Sequence, residues 1–317
     1  MTAASRRISR EGARRVRPRL GRAYLRVLRR ALRPTREPRT DPALPADLAG
    51  RLGTDPAHLR AYRRVCGLGE GAWLPPLYPQ VLAFPLHLEL LGDPQMPSSP
   101  LGMIHLAQAV RMEGGLAEAE DLEARVGLEP AGHHRRGSIL RLVTEVESGS
   151  GRWIGESLIL FPGVRLSGEG PVLQPPELPG GMDETCGEVR VDGSTARRYA
   201  RVSGDWNPIH LGRLPARLLG QRRPMVHGMW SLARLLAVAA STPGREEIGR
   251  AEAWFTSPLF YPAVAQVSVN AERTGFCLRE PRRQRAAVWA RLAADPLVPG
   301  IWQHAFGSPV AGTAGTE

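Results

Sequence analysis

The sequence contains no lysine: all 42 of its basic residues are arginines. With 35 glycines and 29 prolines alongside, that uniformity reads as biased coding, not as selection of guanidinium at 42 positions. Cysteine is scarce too. Cys66, Cys186 and Cys277 are odd in number, far apart and never in a C-x-x-C pair. This excludes a disulfide scaffold and a cysteine zinc site, and fits a reducing, cytoplasmic setting. His105, His133, His134 and His304 are scattered without ligand spacing, so no metal site is expected. Long hydrophobic runs are missing. The longest candidate, 232–240, falls far short of the ~20 residues of a membrane span and carries Arg234. No apolar core follows the basic N-terminus, so no secretory signal is expected. What remains is an ordinary globular composition, 42% hydrophobic and 23% charged over 317 residues. That length suits about two domains with a core that needs no metal or disulfide.

The net charge of +11 is local. Residues 1–40 hold fourteen arginines and two acids; the other 277 hold 28 arginines and 29 acids. A nearly neutral body removes the reading as a nucleic-acid binder. Within this tail, 20–33 has the pattern of an amphipathic helix. Leu20, Tyr24, Val27, Leu28 and Ala31 share one face, and Arg22, Arg26, Arg29, Arg30 and Arg33 the other. Three readings fit: a tail that docks its apolar stripe or stays solvated, a weak contact with an anionic membrane or acidic partner, or a targeting segment.

Beyond the tail, the order of elements repeats. Asp55-Pro56 caps a helix that ends near Cys66, and 74–91 holds four prolines and an apolar run. Strands are predicted at 101–112, 122–128, 138–147 and 152–161, the last two as a hairpin. Residues 163–185 are rich in Pro and Gly and read as a linker. Then come a strand at 188–191, a helix capped by Ser194, a loop, and an apolar helix over 227–240. Strands follow at 251–255, 263–272, 286–293 and 301–306. The repeat, with YRRVCG at 62–67 against YARVSG at 199–204, predicts two copies of one α+β fold. The expected division is a tail at 1–40, a first domain at 41–162, the linker, a second domain at 186–306 and a flexible end at 307–317.

The chemistry-bearing stretch is SGDWNPIH at 203–210. Asp205, Asn207 and His210 lie within six residues, and Pro208 holds Asn207 extended, so the side chains stand on a stiff loop. A carboxylate beside an imidazole is the minimal kit for moving a proton to and from water. The plain alternative is an Asx turn before a proline. His227-Gly228 follows, at the start of an apolar helix whose first N–H groups and partial positive charge suit an anionic oxygen. Gly228 could equally serve a tight helix start, and His227 a structural hydrogen bond.

YARVSGDWNPIHL, PARLLG and PMVHGM together resemble the MaoC-like hydratase/dehydratase family of the hot-dog fold. LPPLYPQVLAFPLHLELL and LGMIHL resemble the N-terminal half of its double hot-dog members. The resemblance covers about 45–306. It implies two tandem hot dogs, antiparallel sheets each wrapped around a central helix and joined edge to edge. It implies reversible hydration of trans-2-enoyl thioesters to (3R)-3-hydroxyacyl thioesters in fatty-acid metabolism. Asp205 and His210 would be the catalytic pair, Asn207 would orient water, Ser203 would support the loop, and Gly228 N–H would bind the thioester oxygen. No metal or redox cofactor is implied; coenzyme A or an acyl-carrier protein carries the substrate, and a homodimer is compatible. The first half reads LGEGAWLPP where the motif would lie, so that copy is expected to be catalytically empty. The sequence departs at Leu211-Gly212-Arg213, where the family often has an Asp. A non-catalytic acyl-thioester binder and a thioesterase are the alternatives. Two further expectations follow. Residues 1–40 should be dispensable for turnover. Pro75, Pro76, Pro79 and Pro85 should leave the first central helix shorter or distorted, with room for a long acyl chain.

Overall fold

A computed structural model describes residues 8, 12–17, 19–31, 44–118, 120–166, 171–178, 180–243, 248–281 and 285–295. The strand expected at 301–306 and the end at 307–317 lie outside the described residues. The first half runs β1 (Arg14–Arg15), α1 (Leu20–Ala31), β2 (Leu48–Leu52), α2 (Pro56–Cys66) and α3 (Tyr78–Leu91). Four long strands follow: β3 (Ile104–Gly114), β4 (Leu122–His134), β5 (Gly137–Glu147) and β6 (Gly151–Pro162). The second half runs β7 (Glu184–Val191), α4 (Gly193–Ser203), a 3-10 turn (Pro208–His210), α5 (Arg213–Leu218) and α6 (Gly228–Ala240). It closes with β8 (Arg250–Phe255), β9 (Ala263–Val269), β10 (Gly275–Arg279) and β11 (Val288–Ala293).

The described strands form one sheet in the order β1-β2-β4-β5-β6-β3-β8-β11-β10-β9-β7. Leaving out β1 and reading from each outer edge inward, β2-β4-β5-β6-β3 and β7-β9-β10-β11-β8 are the same permutation. The two copies meet in one antiparallel pair, with Ala107 of β3 opposite Trp254 of β8 and Val110 opposite Ala251. This is a tandem hot dog joined edge to edge. Strand periodicity separates the two faces. Ile159 and Phe161 of β6 pack with α3 and α6 in the main core, whereas Leu158 and Leu160 join a second cluster on the opposite face. Leu173 and Met182 belong to that second cluster, so the Pro/Gly segment runs along the outer face of the sheet. It is tied there by His133 N–H to Pro171 O and Leu173 N–H to His133 O.

Local rules account for the ends of α2 and α4. Asp55 caps α2 by accepting from Ala57 N–H at 2.8 Å, Pro56 fills its first position, and Gly67 ends it in the left-handed region. Three expectations are corrected. Asp192, not Ser194, caps α4: its carboxylate accepts from Thr195 N–H at 2.7 Å and also takes the Ser194 hydroxyl. The strand expected at 263–272 stops at Val269. Asn270 Oδ1 accepts from Thr274 and Gly275 N–H, turning the chain back into β10, a strand absent from the sequence reading. Finally, α3 is not short. It has fourteen residues against thirteen in α6, because Pro79 sits in the first turn, where no N–H is needed, and Pro85 is absorbed inside. The expected shortening is not found, and with it goes the acyl room that a truncated helix would leave.

Within the arginine-rich segment, α1 docks. Ala23 and Val27 of α1 are buried against Leu88 of α3, with Leu20, Tyr24 and Phe84 packed around them. Arg26 pairs with Glu89 at 2.7 Å. The side chains of Leu28, Arg30 and Ala31, and all of Arg33, lie outside the described residues. Among those residues, no helix is long and apolar enough to cross a membrane.

Candidate active site

The loop after α4 is folded by its own short polar side chains. Gly204 ends the helix at φ 74°, a conformation that costs a side chain-bearing residue but not glycine. Ser203 Oγ accepts from Asp205 N–H at 3.2 Å. Asp205 Oδ1 accepts from Asn207 N–H at 3.1 Å, and Asn207 Oδ1 from Ile209 N–H at 3.3 Å. Each side chain thus caps the backbone two residues on, and Pro208 starts the 3-10 turn that delivers His210. The turn reading holds for Asn207 in part: its carbonyl oxygen serves the backbone, leaving its amide N–H groups for a ligand.

His210 is buried, with Nδ1 2.9 Å from Met225 O. A carbonyl only accepts, so Nδ1 carries the proton and Nε2 the lone pair. Tyr261 donates its hydroxyl to His210 O at 2.9 Å and fixes the backbone. His227, just before α6, places Nε2 2.9 Å from Asp205 O, so Nε2 is its protonated nitrogen. Its buried Nδ1 has no hydrogen-bond partner among the described residues. The two imidazoles stack at 3.8 Å and 29°. Burial pulls His210 below the ordinary histidine range, while Asp205 pulls the other way. Burial, and then the neighbouring His210, lower His227 to about 3. Both rings are therefore neutral at pH 7, beside an Asp205 side chain that is 34% exposed and forms the open side.

Asp205, His210 and His227 each bring one potential ligand atom within 4.8 Å of the others. The set has the composition of a divalent-cation site but fits one poorly. The His227 nitrogen nearest Asp205 is spent as a donor to the Asp205 carbonyl.

Gly228 opens α6, which has no side-chain cap, so its first N–H groups are not spent within the helix. A Cβ here would stand 3.1 Å from Phe255 Cδ1. Phe255 in turn packs at a tilt against His105 of β3, ring centroids 4.8 Å apart, bringing the first half to the edge of the site. A groove of about 460 Å³, lined by Glu184, Arg234, Thr242 and Arg273 among others, opens at the far end of α6 and contains none of these residues.

Residues 178–286 match the family model described as MaoC like domain. Over 219 residues the chain is 32% identical to 3-hydroxyacyl-thioester dehydratase X of Mycobacterium tuberculosis, covering 69% of this chain and 77% of that one. The chain belongs to the MaoC-like family. A crystal structure of HtdX from the same organism superposes with a TM-score of 0.65 at 28% identity, over 78% of this chain and 98% of that one. A MaoC-like dehydratase from Phytophthora capsici gives 0.62 at 19% identity, over 78% and 96%. In this MaoC-like protein the fold brings Asp205 and His210 together and sets Gly228 next to His227. Asn207 and Ser203 stand behind them as loop supports. His227, read from the sequence as a structural hydrogen-bonder, makes that bond to Asp205 O. The sequence reading left out one contact with the loop. Tyr24 lies about 180 positions away, and no local signal marks it.

Two buried histidines and the half-buried His105 of this MaoC-like chain give a pH prediction. His87, donor or acceptor to Thr144 Oγ1 at 2.8 Å, is lowered to about 3 by burial, His105 to about 4 and His227 to about 3. Above pH ~6.5 neither the folded nor the unfolded chain protonates them, and they add no pH dependence. Below it the unfolded chain takes up protons that the buried rings refuse, so stability falls as the pH drops towards 3–4. The melting temperature is expected to decline between pH 7 and pH 5, before most carboxylates titrate. A flat profile over that window would count against neutral buried rings.

Proposed function

We propose that this MaoC-like dehydratase interconverts trans-2-enoyl and (3R)-3-hydroxyacyl thioesters by reversible syn addition of water. One observation carries the reading: the His210 Nδ1 bond to Met225 O leaves Nε2 as a base beside the Asp205 carboxylate, near the N-terminus of α6. A water held by Asp205 and Nε2 gives its oxygen to the β-carbon and a proton to His210. The π pair moves onto the thioester oxygen as an enolate, which the Gly228 N–H and the helix dipole stabilise. His210 then returns its proton to the α-carbon on the same face; dehydration is the reverse. Asp205 offsets the transient imidazolium charge. Coenzyme A or an acyl-carrier protein carries the acyl group, no metal or redox cofactor takes part, and the setting is cytoplasmic fatty-acid metabolism. The second hot dog, 186–306, does the chemistry, and the first, 41–162, is catalytically empty. The substrate class named for the Mycobacterium tuberculosis relative supports the reading.

The test is the full chain with trans-2-enoyl thioesters of graded length, on coenzyme A and on acyl-carrier protein, followed at the enoyl absorbance. Loss of absorbance with a (3R)-hydroxy product is expected. No loss at any length, or a (3S) product, would overturn the proposal.

A further inference from the structure

We propose that Tyr24, on the arginine-rich N-terminal segment, is a positioning residue that sets the backbone of Asp205. Its hydroxyl donates to Gly204 O at 2.6 Å and accepts from Trp206 N–H at 2.7 Å. Gly204 O belongs to the peptide unit before Asp205, and Trp206 N–H to the unit after it. One hydroxyl therefore bridges the two planes whose rotation about the Asp205 α-carbon defines its φ and ψ. The second plane is held from its other edge as well, because Asp205 O accepts from His227 Nε2. Asp205 is thus fixed between α1 on one side and the start of α6 on the other.

The clasp is built, not incidental. Ala23 and Val27 are buried against Leu88, and the Arg26–Glu89 pair seats α1 on α3. Gly204 leaves no room to spare: a Cβ there would lie 3.1 Å from Leu20 Cδ2 and 3.3 Å from Phe84 Cδ1. Burial, and then the nearby Asp205, push the Tyr24 hydroxyl pKa well up, so it remains a donor at any working pH. On this proposal α1 contributes to turnover, against the sequence expectation that residues 1–40 are dispensable for it.

The inference rests on the dehydratase reading for its kinetic consequence and on geometry alone for the clasp, so the test reads both. Tyr24→Phe keeps the ring and its packing and removes only the bridge. A misplacement of about 1 Å can cost about 10²-fold in rate; roughly 10-fold in kcat is expected here, with KM changed less than about twofold and only a small fall in melting temperature from the two lost hydrogen bonds. Amide exchange of a peptide spanning 203–210 should quicken. Arg29→Ala, on the exposed side of α1, should match wild type. Wild-type kcat in Tyr24→Phe overturns the proposal, as does a loss confined to KM or to melting temperature. If the wild type proves inactive on every enoyl thioester, the dehydratase reading fails by itself. Exchange then decides the clasp, and an unchanged rate at 203–210 overturns it. Should Tyr24→Phe not fold, Glu89→Gln, which cuts the ion pair seating α1, must also lower kcat and quicken that exchange; wild-type values for it overturn the proposal.

Discussion

Asp205→Asn is expected to lower turnover by about 10²–10⁴-fold, the usual cost of losing a positioned acid–base group, while the protein still folds. Asparagine has the same shape, and its Oδ1 can still accept from Asn207 N–H, so the loop keeps its cap. What is lost is the negative charge that holds the attacking water and offsets the imidazolium. His210→Ala should lose a comparable factor in kcat. It also leaves Met225 O without its donor in a partly buried position, which costs up to about 1–3 kcal/mol, and a lower melting temperature should accompany it. The double variant should lose less than the product of the two factors, because both groups act on one water. Asn207→Ala should be milder, since its oxygen serves the turn. The measurement is kcat at saturating enoyl thioester. Near-wild-type turnover in Asp205→Asn would sink the proposed mechanism while leaving the fold untouched.

What could be read from the sequence is what depends on neighbours in the chain. Period-two patterning located β5 and β6 within a residue or two, and Asp55-Pro56 marked the start of α2, because capping and alternation are local rules. The internal repeat was legible as an order of elements, which the shared strand permutation now states in space. Finer errors were local ambiguities. Asp192 and Ser194 are both good caps, and only geometry shows the carboxylate taking the Thr195 N–H. Asn270 reads as one polar residue in a strand until its side chain is seen accepting two backbone N–H groups. The site divides in the same way. Asp205, Asn207 and His210 sit on one short loop and announce themselves. His227 depends on a bond to a backbone carbonyl 22 positions earlier, and Tyr24 on two bonds to groups about 180 positions later. No spacing rule encodes such contacts; they exist because α1 lies on α3 beside the end of α4.

Gly228→Pro is the other substitution with a large expected effect, and it isolates a single N–H. Gly228 is the first residue of α6, the position where proline is best tolerated because that N–H has no intrahelical partner. His227 before it lies at φ −61° and ψ 134°, the extended geometry that a residue preceding proline requires. The helix should therefore survive the change. Proline still brings a Cβ towards Phe255, 3.1 Å from Cδ1, and the ring must give by a few tenths of an ångström. Gly228→Ala brings the same Cβ but retains the N–H, so the ratio of the two variants cancels the packing effect. If this N–H binds the enolate oxygen, the proline variant should turn over about 10²–10³-fold more slowly than the alanine variant, the range found when one oxyanion donor is lost. The deficit should appear in kcat more than in KM, because the charge it stabilises develops only on the way to the transition state. Equal rates for the two variants, with both folded, would mean that the thioester oxygen finds its donors elsewhere and that glycine is at 228 only to let α6 start against Phe255.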